Sequence, residues 1–176
     1  MKLYVGTYHK YNCGSIDGAW LNLDDYASKE EFLTACQKLH SDERNPEFMF
    51  QDFEVENSLE EQFYCESYID DDYWTIYKDA TANCGIDLDA IGDYLALHNY
   101  EIVPGIKAAE ESYCGTYEDA IEFAQSEVSE CYPEIEKNLP NFIYNAIDWE
   151  HVARELSYDY DYIATRDYKT AVFRNF

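Results

Sequence analysis

Between Ser58 and Val103 the chain carries eleven carboxylates and one basic residue, Lys78, and it interleaves them with Phe63, Tyr64, Tyr68, Tyr73, Trp74, Ile76, Tyr77, Ile91, Tyr94, Leu95 and Leu97. Runs of like charge ordinarily stay unfolded, because too little apolar area accompanies them to offset chain entropy and self-repulsion. Here the apolar residues supply that area. The segment is therefore constrained to fold with its aromatic side chains inward and its carboxylates, centred on Asp70, Asp71 and Asp72, on a charged outer surface.

The same tension runs through the whole molecule. Its formal charge is −25 over 176 residues, of which 47% are hydrophobic and 17% aromatic, so a core can form despite the charge. That length allows one ordinary domain or two or three small ones in series. Solubility alone asks for a net charge of only about 2 to 8, and a larger excess destabilises any compact state. Residues 1–20 carry +1, residues 21–57 carry −7, residues 58–103 carry −10 and residues 104–176 carry −9. A nucleic-acid binder needs the opposite sign, since Lys and Arg must displace counterions from phosphates, and anionic membranes are excluded for the same reason. The partners left are basic: a cation, a basic protein, or a protein surface that normally holds nucleic acid.

Local chemistry is sparse. The six cysteines, Cys13, Cys36, Cys65, Cys84, Cys114 and Cys131, lie far apart, with no CxxC pair and no His at zinc-ligand spacing, and read as reduced thiols. His9, His40, His98 and His151 form no HExxH or paired arrangement, and no GxGxxG, P-loop or GxSxG occurs, so neither an enzyme nor a cofactor is expected. The N-terminus lacks an apolar signal core, and no apolar run approaches the roughly 20 residues of a membrane span, which makes the expected address cytoplasmic. Asp70–Asp72 and the pair Asp87 and Asp89 offer clustered oxygen atoms to a hard cation, but the EF-hand loop is absent,. A cation-binding (Ca²⁺) module, or a general interaction module for basic proteins, is the alternative reading.

Taken in order, residues 3–8 and 17–23 read as a hairpin turning at Asn12, Gly14 and Ser15,. Ser28 to Glu31 has the form of a capping box opening a helix to about His40, with Phe32, Leu33, Cys36 and Leu39 inside,. Residues 47–55 read as a strand carrying Phe48, Phe50 and Phe53, and Ser58 to Glu61 as a second capping box. Asp71 or Asp72 is expected to cap a helix with Trp74, Ile76 and Tyr77, Asp87 one with Leu88, Ile91, Leu95 and Leu97, and Pro104–Gly105 to mark a boundary,. Thr116 is the expected N-cap of a helix running to Cys131, with Ala120, Ile121, Phe123, Ala124 and Val128 inside and Pro133 at its end. Asp148 is expected to cap a helix of Trp149, Val152, Ala153 and Leu156, before a closing hairpin of residues 160–163 and 171–173. The fold class is α+β in three units: a mixed unit at 1–57, an acidic, mainly helical one at 58–103, and a mixed one at 104–176.

On a helix, carboxylates three or four positions apart lie about 5–6 Å from one another, comparable to neighbouring phosphates on a strand, so a rigid body studded with them resembles DNA electrostatically. The residues expected to form that surface are Glu60, Glu61, Glu66, Asp70, Asp71, Asp72, Asp79, Asp87, Asp89 and Asp93 from the centre, with Glu118, Glu122, Glu127 and Glu130 from the third unit.

Several stretches then point to one family. Tyr4-Val5, Tyr11-Asn12 with Gly14, Gly18-Ala19-Trp20, Asp52-Phe53-Glu54, Tyr113 to Asp119 with Phe123-Ala124, Asp148-Trp149-Glu150, Ala153 to Leu156 and Val172 to Arg174 occur in family order. With these residues the chain resembles the ArdA antirestriction proteins, DNA mimics that inhibit type I restriction-modification enzymes and are carried on mobile genetic elements. The resemblance implies an elongated, curved chain of three small domains that dimerises through the C-terminal one and occupies the DNA groove of the methyltransferase core. It also implies that the family's antirestriction motif lies roughly between Glu127 and Glu150, near the dimer interface, where Tyr132, Ile135, Leu139, Phe142, Ile143 and Tyr144 are the expected contacts.

Overall fold

In a computed structural model, which describes residues 1–175, strand β1 (Lys2–Thr7) is the centre of a three-stranded antiparallel sheet, flanked by β2 (Ala19–Asn22) and β3 (Phe48–Glu54). Alternation along β1 sends Leu3 and Val5 into the core,. The expected bare turn after β1 contains a short helix, α1 (Tyr8–Asn12), because the Thr7 hydroxyl accepts the Lys10 N–H at 3.2 Å and starts a helical turn,. In β3 the register passes from Tyr4 opposite Asp52 to Val5 opposite Phe50, which leaves Gln51 as a bulge. That extra residue lets Phe50 and Phe53, three positions apart, both pack on the core,. The Gln51 amide lies over Gly6, where a Cβ would come within 2.4 Å of its Nε2.

Helix α2 (Lys29–Leu39) starts as its sequence foretells. Ser28 Oγ accepts the Glu31 N–H at 3.4 Å, while the Glu31 carboxylate reaches back to the Ala27 N–H at 3.0 Å, one residue earlier than the simplest capping box,. Phe32 and Cys36 are buried and Leu33 and Leu39 half-buried.

The middle of the chain is helical: α3 (Ser58–Glu61), a π-helical turn at Tyr73–Tyr77, α4 (Lys78–Asn83), α5 (Leu88–His98) and α6 (Ile102–Ser112). Three local expectations are corrected here. The cap of α3 is Asn57, whose side chain accepts the Glu60 N–H at 2.8 Å, and not Ser58. Neither Asp71 nor Asp72 caps a helix; Asp72 already has helical backbone angles and makes no side-chain cap bond. Pro104 and Gly105 lie inside α6, which is possible because the first four N–H groups of a helix need no intrahelical partner. The break falls instead at Asn99, in the left-handed region with φ 52° after α5. Asp87 caps α5 as expected, accepting the Ala90 N–H at 3.1 Å.

Gly92 explains how tightly these helices meet. A Cβ there would lie 2.2 Å from the Leu59 nitrogen and the Ser58 carbonyl carbon, so α3 rests directly on the α5 backbone. Asp89 adds to that contact by accepting the Ser58 N–H at 2.7 Å.

The second sheet has the order β4-β6-β5, all antiparallel, from β4 (Tyr113–Tyr117), β5 (Tyr160–Ala164) and β6 (Thr170–Arg174). Between β4 and β5 lie α7 (Ala120–Cys131), α8 (Pro133–Asn138), α9 (Asn141–Tyr144) and α10 (Trp149–Leu156). Thr116, expected to cap α7, pairs with Ala171 in the sheet. The cap is Asp119, accepting the Glu122 N–H at 2.8 Å, and Glu122 closes the box on the Glu118 N–H at 2.6 Å. Pro133 does not merely end α7; it is the first residue of α8,. Asp148 caps α10 as foretold, and the closing hairpin forms.

The chain is therefore α+β, with a small antiparallel sheet near each end and helices between. One core cluster runs from Met1, Leu3 and Phe32 through Leu59, Tyr73 and Leu95 to Ala171 and Phe173. Phe123, Tyr160 and Val172 form a second, smaller one. Strand alternation in β6 feeds both, with Ala171 and Phe173 turned to the first and Val172 to the second,. Helix α5 reaches the second sheet through Tyr94, whose ring stacks on Phe173 at 4.7 Å.

Candidate acidic interaction surface

Of the fourteen nominated carboxylates, nine are exposed: Glu61, Glu66, Asp70, Asp71, Asp79, Asp93, Glu118, Glu122 and Glu130. Asp72, Asp87, Asp89 and Glu127 are half-buried. Several are tied into the fold. Asp87 is a helix cap, Asp79 accepts from Asn83 at 2.5 Å, Asp89 pairs with Arg166 at 3.0 Å, and Glu127 accepts the Tyr160 hydroxyl at 2.8 Å. Glu118 pairs with Lys169 at 3.1 Å and Asp71 with Lys29 at 3.7 Å. Such exposed pairs contribute little to stability.

Glu60 is the exception and corrects the sequence reading. Its side chain is only 2% exposed and is ion-paired with the buried α-ammonium group of Met1. Tyr73 donates its hydroxyl to the same carboxylate at 2.8 Å, and the Glu56 N–H donates at 2.7 Å. Burial, followed by the Glu60 hydrogen bond, pushes the Tyr73 phenol well above the ordinary tyrosine range. A carboxylate so enclosed offers nothing to a partner. It ties β1 to α3 and the π-helical turn.

The charge excess survives the ion pairs. At least seven of the twelve Lys and Arg side chains are engaged with carboxylates: Lys2, Lys10, Lys29, Lys78, Lys107, Arg166 and Lys169. The hydrogen bond from Lys10 holds Asp42 below the usual carboxylate range. For Asp24, partial burial works the other way, but the Lys78 hydrogen bond prevails and lowers it.

The structure also adds carboxylates that the helix-based reading passed over. Asp52, Glu54 and Glu56 are all exposed, along and just beyond β3. Their spacing of two, the strand period, was the available signal. Exposed Asp24, Asp25, Glu30 and Glu31 extend the acidic surface across the first unit.

The residues nominated for self-association fall on α8, α9 and their flanks. Tyr132, Phe142 and Ile143 are exposed, Phe142 by 75%, while Ile135, Leu139 and Tyr144 are half-buried. Tyr144 packs edge-on against Trp149 at 5.7 Å, which attaches this segment to α10. Among the described residues, no group of three or more His, Cys, Asp or Glu is arranged to hold a metal ion, and no helix is long and apolar enough to cross a membrane.

A family model described as Antirestriction protein (ArdA) matches residues 3–169, from the start of the first sheet to the loop before β6. The chain belongs to the ArdA antirestriction family. The ArdA match takes in the capped starts of α2 and α3, the acidic middle and the exposed apolar segment at 132–144. No curated protein matches the chain.

Proposed function

We propose that the protein is an antirestriction inhibitor that imitates the charge and shape of B-form DNA. It competes with DNA for the groove of a type I restriction-modification enzyme at its methyltransferase core. One observation carries the reading: after ion pairing, exposed carboxylates remain on all parts of the fold, from Asp52 and Glu56 through Asp70, Asp79 and Asp93 to Glu122 and Glu130. They stand on a body held rigid by a contiguous aromatic core. Affinity then comes from many ion pairs with groove Lys and Arg side chains, without bases to read. The protein acts stoichiometrically, in the cytoplasm, and has no active site.

Three units carry this surface, divided in sequence as 1–57, 58–103 and 104–176, with α6 running across the second boundary. Two copies associate through the segment containing Tyr132, Ile135, Leu139, Phe142, Ile143 and Tyr144, and so lengthen the acidic face. Its three exposed apolar side chains support that role,. The test is displacement: a purified type I methyltransferase bound to labelled target duplex is titrated with the protein. Stoichiometric release of the duplex is expected; a stable ternary complex of enzyme, duplex and protein contradicts the proposal.

A further inference from the structure

Tyr4, Tyr11 and Trp20, motif residues that the acidic surface does not use, converge with Asp52 on the outer face of the first sheet. Tyr4 stands opposite Trp20 on β2 and opposite Asp52 on β3, so the three side chains form one row across the strands,. The Tyr4 and Trp20 rings meet edge to face with centroids 5.5 Å apart. The Tyr4 hydroxyl donates to the Ile16 carbonyl at 2.9 Å, which fixes the ring and draws the β1–β2 connection over it. Tyr11 and Ile16 from that connection, with Gln51, complete a hollow of about 470 Å³. Its apolar walls stand in solvent: Tyr11 is 52%, Ile16 72% and Trp20 42% exposed.

Electrostatics decide what such a hollow takes. The neighbouring lysines are engaged elsewhere, Lys2 with Glu54 at 2.8 Å and Lys10 with Asp17 at 2.9 Å and Asp42 at 3.1 Å. The Asp52 carboxylate accepts the Phe53 N–H at 2.9 Å and, among the described residues, takes part in no ion pair. Aromatic faces are electronegative, so two rings and an open carboxylate in one row form a cation receptor. A planar guanidinium both stacks on a ring and bonds a carboxylate through two parallel N–H groups, which an ammonium group cannot do.

We propose that this hollow receives an arginine side chain of the basic partner protein, with its guanidinium stacked on the Tyr4–Trp20 pair and bonded to Asp52. The inference rests on the reading above that the partner is a protein with a basic groove. It adds a discrete anchor to an otherwise distributed electrostatic attraction.

The test uses the full chain with N-acetyl-arginine amide as probe and N-acetyl-citrulline amide, close in shape but uncharged, as control. The Trp20 indole N–H resonance is expected to shift saturably with the arginine probe and not with citrulline, and Asp52→Asn to weaken that binding at least about threefold. In methyltransferase binding, Trp20→Ala is expected to lower affinity about tenfold with the salt dependence unchanged. Equal shifts with both probes, or an Asp52→Asn variant that binds like the parent, overturn the proposal. Loss of probe binding while the chain still displaces duplex overturns only the hollow; retained probe binding without displacement supports the hollow and overturns the DNA-mimic reading.

Discussion

Replacing Glu60 by alanine is expected to destabilise the protein by about 3–5 kcal/mol, the loss that follows when one partner of a buried ion pair is removed. The structure puts it in that class. Three donors converge on the carboxylate: the Met1 ammonium, the Tyr73 hydroxyl and the Glu56 N–H. Alanine leaves the ammonium group buried without its counter-charge and opens a void beside Tyr73. Urea unfolding followed by circular dichroism measures this directly. With a slope of about 2 kcal/mol/M, the midpoint should fall by about 2 M. Glu61→Ala, one residue on but exposed, is the matched control and should change stability by no more than about 0.5 kcal/mol. Glu60→Gln keeps the shape but removes the charge, and should fall between the two. If Glu60→Ala and Glu61→Ala are equally stable, the enclosed ion pair is wrong and Glu60 returns to the surface.

Three further outcomes follow from the same geometry. Gly92→Ala should lower stability by about 3 kcal/mol or more by urea unfolding, since the added methyl meets the α3 backbone, which cannot rotate away,; a neutral substitution would show that α3 does not lie on α5. Burial raises the Tyr77 and Tyr162 phenols to about 12, against about 10 in an unfolded chain, so the stability they contribute is complete below about pH 10 and lost as pH rises towards 12. Unfolding free energy that stays flat from about pH 9.5 to about 11.5 would contradict that burial. The Cys131 thiol donates to Glu127 at 3.3 Å, and that bond to a carboxylate raises its pKa. Glu127→Gln should therefore speed alkylation of Cys131 by iodoacetamide, by about threefold, and an unchanged rate would count against the contact.

The parts of the fold legible in the sequence are those where local chemistry and burial agree. Ser28 with Glu31, Asp87 before α5 and Asp148 before α10 all cap as read, because a short polar side chain before an apolar stripe has few other uses,. Strand β4 was illegible for the opposite reason. Tyr113–Tyr117 is short, contains Gly115 at φ 133°, and finds its partner β6 more than fifty residues later. Its Thr116 therefore resembled a helix cap. Pro104 misled because a proline in the first turn of a helix looks the same in sequence as one between helices,. The exposure of the candidate carboxylates was mostly legible, since nine of the fourteen are exposed. That of Glu60 was not, because with Ser58 as the cap the acid that reaches back is Glu61, whereas Asn57 is the cap and Glu60 therefore turns inward to the Glu56 N–H,. Nothing local announces that the chain's own α-amine is folded beneath it.

The central claim is that collective charge on a rigid body competes with DNA for a basic groove, and the salt dependence of binding tests it most directly. Affinity for a purified type I methyltransferase should be measured from about 50 to about 200 mM salt, with and without target duplex. The account predicts a fall of at least about 100-fold across that range and mutual exclusion with the duplex. A change smaller than about threefold, or binding unaffected by saturating duplex, would contradict it.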